Sequence, residues 1–310
     1  MLKQVMEIYD LLDKSTASGK EVEELLRGRG AEDVVVQTIS GEKGSTDFIK
    51  IFLKGTQGKN TGGDAPTLGI TGRLGGLGAR PEVIGFVSDG DGALAALSAA
   101  LKLVDMQRHG DVLKGDVVIT THICPDAPTR EHVPVRFMGS PVDIETMNKM
   151  EITDDMDAIL SIDTTKGNKI INTRGFAISN TVKEGYILKV SDDLLEVMMR
   201  TTGRLPYVFP LSQQDITPYG NGLYHLNSIL QPAVAAKAPV VGVAITTEVP
   251  VAGCATGATH LTDIEMTARF VIEVAKDFGE NKCKFYDEEE VAQMLKLYGD
   301  MKKFQTRGIE

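Results

Sequence analysis

Apolar residues recur at helical spacing from the first positions of the chain, with Leu2, Met6, Tyr9 and Leu12 on one face, and this predicts an amphipathic helix. Ser18-Gly-Lys-Glu opens a second helix that runs through Leu26. The runs VVVQTI (34–39) and FIKIFL (48–53) then read as strands. A polar, glycine-rich loop at 56–66 leads into TLGI, short and apolar enough for an interior strand, and EVIGFV (82–87) is read as another. The segment from Asp89 to Arg108 is predicted helical, with Leu94, Leu97, Leu101 and Val104 facing inward. Strand DVVITTHI (116–123), a proline-rich excursion to about 142, a helix from Asp143 and strand AILSID (158–163) continue the alternation.

Between 168 and 190 the pattern shortens to NKIIN, GFAI and GYILKV, which predicts a small antiparallel extension of the sheet. A helix at 192–202, strand LPYVFP, a helix around 221–236, strand PVVGVAI and helices at 262–277 and 287–303 complete the reading. The expected fold is a single α/β domain over residues 1–310, three-layer α/β/α with a mixed sheet.

Composition narrows the function. With 310 residues and 42% apolar content the chain can bury a large core. A net charge of -10 argues against nucleic acid or an anionic membrane as partner, because phosphates would be repelled over most of the surface. A small molecule or peptide is the expected partner. Cys124, Cys254 and Cys283 are few and far apart, which fits reduced thiols and a cytoplasmic location; the N-terminus lacks the features of a signal peptide.

The chemistry gathers at strand ends. Asp89, Asp126 and Asp163 each stand where a strand or its connection gives way to a loop, and ligands of open α/β proteins bind beyond the carboxyl ends of strands. Each has a plainer role: Ser88, Asp89 or Asp91 as a helix cap, Asp126 as a loop residue fixed by Pro125 and Pro128, Asp163 as a turn former. His122 is either a second polar group of the site or a histidine bonded to a backbone carbonyl. GRLGGLGARP lacks a phosphate-loop lysine and reads as a turn lining the site, and AGCATGATH could wrap a ligand closely.

Taken in order, these segments resemble the co-catalytic zinc aminopeptidase and deacylase superfamily. TLGITGRLGG resembles its first ligand strand, SDGDGALAALSAAL its bridging-aspartate helix, GDVVITTHICPDAP its paired-glutamate strand and AILSIDTT its aspartate strand. The opening helices and the stretch from VVGVAITTEVP through ARFVIEVA are similar to the family's lead-in and closing elements. The resemblance implies metal ligation by Asp89, Asp126 and Asp163 with zinc, manganese or magnesium. It also implies a substrate loop in QQDITPYGNGLYH carrying Thr217 and His225, and hydrolysis of an amide, short peptide or acylated amino acid.

The departures are as informative. Arg73-Leu74-Gly75 stands where the family has His-x-Asp, Pro125 aligns with the general-base glutamate, and Cys254 or His260 are the only substitutes near the last histidine. Arginine cannot ligate zinc, and an all-oxygen set suits harder cations. Two outcomes follow. Arg73 pairs with Asp89 or Asp163 in a metal-free pocket whose guanidinium grips a substrate carboxylate, for binding or for different chemistry; or one cation survives on Asp89, Asp126 and His122, with Asp91 as base. Only 16 residues separate Arg73 from Asp89, too few for the family's dimerisation insert, so the expected homo-oligomer would use core surfaces or the 168–190 region.

Overall fold

The computed structural model describes all residues except 43, 74–85, 125–126, 132–136, 252–257 and 309–310. Helices α1 (Leu2–Leu12) and α2 (Gly19–Gly28) precede the hairpin β1 (Asp33–Gly41) and β2 (Gly44–Leu53). Ser18 and Glu21 form a reciprocal capping box at the start of α2, which fixes where that helix begins. Then follow β3 (Leu68–Gly72), α3 (Asp91–Arg108), β4 (Val117–Ile123), the short pair β5 (Thr129–Arg130) and β6 (Phe137–Met138), α4 (Ile144–Glu151) and β7 (Ala158–Thr164). The second half contains β8 (Gly175–Ser179), β9 (Val182–Lys183), β10 (Tyr186–Ile187), α5 (Asp192–Thr202), β11 (Val208–Phe209), α6 (Pro232–Ala235), β12 (Val240–Thr246), α7 (Leu261–Gly279) and α8 (Glu288–Tyr298).

The main sheet runs β1-β2-β4-β3-β7-β12-β8-β11. Its centre, β4-β3-β7-β12, is parallel, while β2 and β8 flank it antiparallel. This is the expected mixed α/β sheet flanked by helices. Side chains alternate along each central strand. Leu68, Ile70, Val117, Ile119, Leu160 and Val243 enter the larger core shared with α1, α3 and α7. Val118, Ile159 and Ala244 enter a smaller core with Ile216, Ile229 and Leu230 on the opposite face. Among the described residues no helix is long and apolar enough to cross a membrane.

Several elements differ from the sequence reading, each for a local reason. NKIIN is not a strand, because the Asn168 side chain accepts from the amides of Ile170 and Ile171 and makes a turn. The helix expected at 221–236 shrinks to Pro232–Ala235. Asp215 accepts from the amides of Leu226 and Asn227, and Gly220 and Gly222 adopt positive φ, so the segment is held as a loop. LPYVFP contributes only two strand residues between its prolines. The last helix stops at Tyr298, where Gly299 has φ +76 and a 3-10 turn at Lys302–Gln305 follows. Most of EVIGFV lies outside the described residues.

Candidate functional site

Alternation on the carboxyl half of β4, β3 and β7 places polar groups on the smaller-core face. Thr71 and Thr120 bond each other at 2.9 Å, Ser161 donates to the Ile229 carbonyl at 2.6 Å, and Arg73, His122 and Asp163 lie at the strand ends. Arg73 is 2% exposed. It does not pair as the sequence reading anticipated: its Nη1 forms an ion pair with Glu151, the last residue of α4, and lies 3.5 Å from Asn148 Oδ1. The second nitrogen, Nη2, meets the Met147 sulfur at 3.9 Å. Glu151 also binds His122, with Oε1 2.6 Å from Nδ1, so one buried carboxylate bridges a guanidinium and an imidazole. Burial alone would raise the Glu151 carboxyl, but Arg73 and His122 outweigh it and hold it below the usual range. His122 is therefore oriented by a carboxylate rather than by a backbone carbonyl.

Asp163 sits at the end of β7, fully buried. Its Oδ1 accepts from the Thr164 amide at 2.6 Å and its Oδ2 from Ser228 Oγ at 3.0 Å. Burial pushes its carboxyl up to about 6, opposed by the Thr164 amide and the charge of Arg73 and reinforced by Asp89. Tyr219 stands beside this pair. Burial and the nearby Asp163 push its phenol up to about 12, against a hydrogen bond with Ser228.

A second group lies over the start of α3. The plainer alternative, a helix cap from Ser88, Asp89 or Asp91, is not met, since Gly90 takes the cap position and α3 has no side-chain cap. Asp91 turns to Thr259 Oγ1 at 2.7 Å and to Lys166 Nζ at 3.0 Å. Burial pushes it up to about 6 despite the Lys166 charge, with Asp89 adding to the rise. The charge of Asp89 adds to the rise at both Asp91 and Asp163. The approach is close because Gly92 packs against backbone: a Cβ there would meet Arg73 O at 2.5 Å and Ile162 O at 2.7 Å.

The other expected residues fall around this centre. Thr217 and His225 bond each other, Oγ1 to Nε2 at 3.1 Å, and the His225 ring meets Tyr219 edge-on at 4.6 Å. They lock the loop that carries Tyr219 and Ser228. His260 stands exposed at the N-cap position of α7 without a side-chain cap bond, its Nδ1 3.3 Å from Asp263 Oδ2, while its neighbour Thr259 reaches Asp91. Asp126 and Cys254 lie outside the described residues. Glu151, Lys166, Ser228, Tyr219 and Thr259 escaped the sequence reading. Tyr219 and Thr259 nonetheless lie in the stretches QQDITPYGNGLYH and AGCATGATH that the sequence singles out, and Lys166 follows the end of β7.

The metal implied by the resemblance can be tested on the donor set. Among the described residues no three His, Cys, Asp or Glu side chains gather as a cation site. Both oxygens of Asp91 and of Asp163 accept internal hydrogen bonds, and the ring nitrogen of His122 nearest Glu151 is committed to it. Nor can Arg73 serve as a ligand. The described residues do not fit a two-metal centre.

Comparison with solved structures supports the architecture. The crystal structure of a cytosol aminopeptidase from Coxiella burnetii superposes with a TM-score of 0.50 at 14% identity, covering 89% of this chain and 68% of that one. Identity this low shows the fold alone. No curated protein sequence matches the chain. Residues 37–308 match the family described as protein of unknown function DUF1177, and the chain belongs to that family.

Proposed function

We propose that this protein is a peptidase-like enzyme that cleaves an amide bond in a short peptide or acylated amino acid, with Asp163 as proton acceptor. The observation that carries the reading is the Asp163–Ser228 contact on an aminopeptidase-like sheet: a buried carboxyl with affinity for protons near neutrality, bonded to a partly buried hydroxyl at 3.0 Å. Above pH 6 the carboxylate can take the proton of an attacking O–H group, either Ser228 or a water in its place. As the new C–O bond forms and the C–N bond breaks, that proton passes to the departing amine; on the Ser228 route a water, giving its proton to Asp163, then cleaves the acyl ester, and that proton returns to the serine oxygen. The Tyr219 phenol stays protonated throughout the neutral range and can donate to developing charge. Arg73 supplies positive potential, its Nη2 meeting the Met147 sulfur at 3.9 Å. Asp91 is less suited to the role, since one of its partners is the Lys166 ammonium, whereas Oδ2 of Asp163 faces a hydroxyl that can itself give up a proton.

A second reading, ligand binding without turnover, is favoured by the internal ion pairs Arg73–Glu151 and Lys166–Asp91, which neutralise much of the site. Turnover of an amide and peptide library, followed by mass spectrometry for the wild type and Asp163→Asn, separates the two. A drop of about 100-fold or more in the variant is expected. Equal turnover would remove Asp163 from the chemistry, and absent turnover in the wild type would leave the binding reading.

A further inference from the structure

A cleft of about 910 Å³ opens between α4, the turn around Tyr219, α6 and residues 305–307. Its volume is at the upper end of small-ligand sites. It is joined to the strand-end site by two side chains. Tyr219 lines the cleft and stands near enough to Asp163, the acceptor of the Ser228 hydroxyl, for that charge to raise its phenol. Asn148 also lines it, and its Oδ1 lies 3.5 Å from Arg73. A ligand in the cleft is therefore one residue, Asn148, from the guanidinium, and meets through Tyr219 the neighbourhood of the Asp163–Ser228 pair.

The walls are fixed before any ligand arrives. Gln231 donates to Thr217 O at 2.8 Å and accepts from the Tyr219 amide at 3.4 Å. Gln305 donates to the carbonyls of Ala233 and Ala236 at 2.8 and 2.9 Å, which pins the C-terminal wall to α6. The charges lining the cleft mostly cancel. Asp143 is spent capping α4 at the Thr146 amide, and Glu145 pairs with Lys149 at 2.8 Å. Arg307 makes no ion pair among the described residues, although its charge acts on Glu145, so its exposed guanidinium keeps its hydrogen-bond donors open to a ligand in a cleft whose charges balance. Val234 and Ala235 give an apolar stretch of wall.

We infer that this cleft binds the carboxylate-bearing end of an acylated amino acid or short peptide, with the carboxylate on Arg307 and the amide directed toward Tyr219. The inference rests on the amide-cleaving reading for its orientation, but binding can be measured without turnover. The guanidinium recognises a carboxylate through two parallel hydrogen bonds, and an ester of the same shape cannot reproduce the ion pair.

The test uses N-acetyl-leucyl-leucine and its methyl ester, titrated calorimetrically into the wild type, Arg307→Gln and Ala235→Trp. Ala235 is exposed on the cleft wall, so the bulky replacement fills the cleft without entering the core. The wild type is expected to bind the acid about tenfold more tightly than the ester. Arg307→Gln should abolish that difference, and Ala235→Trp should weaken both probes. Equal binding of acid and ester by the wild type, a preference that survives Arg307→Gln, unaltered binding in Ala235→Trp, or no binding of either probe would each overturn the inference. Acid-selective binding with no amide turned over would defeat the hydrolytic reading and leave the cleft assignment standing. Asp163-dependent turnover with no preference for a carboxylate would do the reverse.

Discussion

Removing the Glu151 carboxylate is expected to be among the most destabilising single changes in this protein. Glu151 and Arg73 are 1% and 2% exposed, so solvent screens their interaction little, and Glu151 also holds His122 at 2.6 Å. Glu151→Ala leaves a buried guanidinium without its counter-charge, a situation that costs about 3–5 kcal/mol. With a urea slope of about 3 kcal/mol/M, the unfolding midpoint should fall by about 1–2 M. The chain has no tryptophan, so the transition is best followed by far-ultraviolet circular dichroism. A buried ion pair is weak evidence for net stability, however, because its desolvation offsets much of its attraction. The double variant Arg73→Met with Glu151→Leu, which replaces both charges by apolar groups, should therefore recover most of the loss. The pH dependence has a definite sign. Glu151 has a lowered carboxyl in the fold, so its contribution is present above its unfolded value and fades as pH falls through the folded one. The penalty of Glu151→Ala should accordingly shrink in acid. A midpoint shift below about 0.3 M at neutral pH, equivalent to about 1 kcal/mol on the same slope, would refute the reasoning. A double variant no more stable than the single one would refute it too.

Asp163 behaves oppositely. Its folded value, raised to about 6, means that ionisation opposes folding, so its effect disappears as pH falls from about 6 toward the ordinary carboxylate range. Asp163→Asn should therefore stabilise the protein by about 1–3 kcal/mol at pH 8 and much less at pH 4, measured by chemical denaturation; equal effects at the two pH values would contradict the raised value. Gly92→Ala should cost about 1–3 kcal/mol or more, since its Cβ would lie 2.5 Å from Arg73 O, and should reduce any turnover by displacing Asp89 and Asp91; a melting temperature matching the wild type would show that α3 has more room than its contacts imply. Elemental analysis of protein purified without chelator should find divalent metal well below stoichiometric amounts. A full equivalent that is lost in Asp163→Asn would overturn the reading of the donor set.

Local pattern carried much of the fold. The period of apolar residues marked α1, α3, α5 and α7 and the apolar runs marked the central strands, because both signals come from which face of an element meets the core. Turn chemistry was less visible. Asn168 and Asp215 each redirect a segment whose composition suits regular structure, through side-chain bonds to backbone that no periodicity reports.

The site divides along the same line. The sequence alone determined that Arg73, His122 and Asp163 stand at the ends of strands, and that Asp89 and Asp91 stand at the start of a helix, since strand and helix boundaries are local properties. Tertiary structure decided what each of them meets. Glu151 is 78 residues from Arg73 and 29 from His122; Ser228 is 65 from Asp163; Lys166 is 75 from Asp91. The Glu151 and Ser228 pairings depend on how α4 and the 213–231 loop cover one face of the sheet, and the Lys166–Asp91 pair on how the start of α3 sits beside the end of β7. Charge choice at a buried position is settled by that packing, which the order of residues along a single element does not contain.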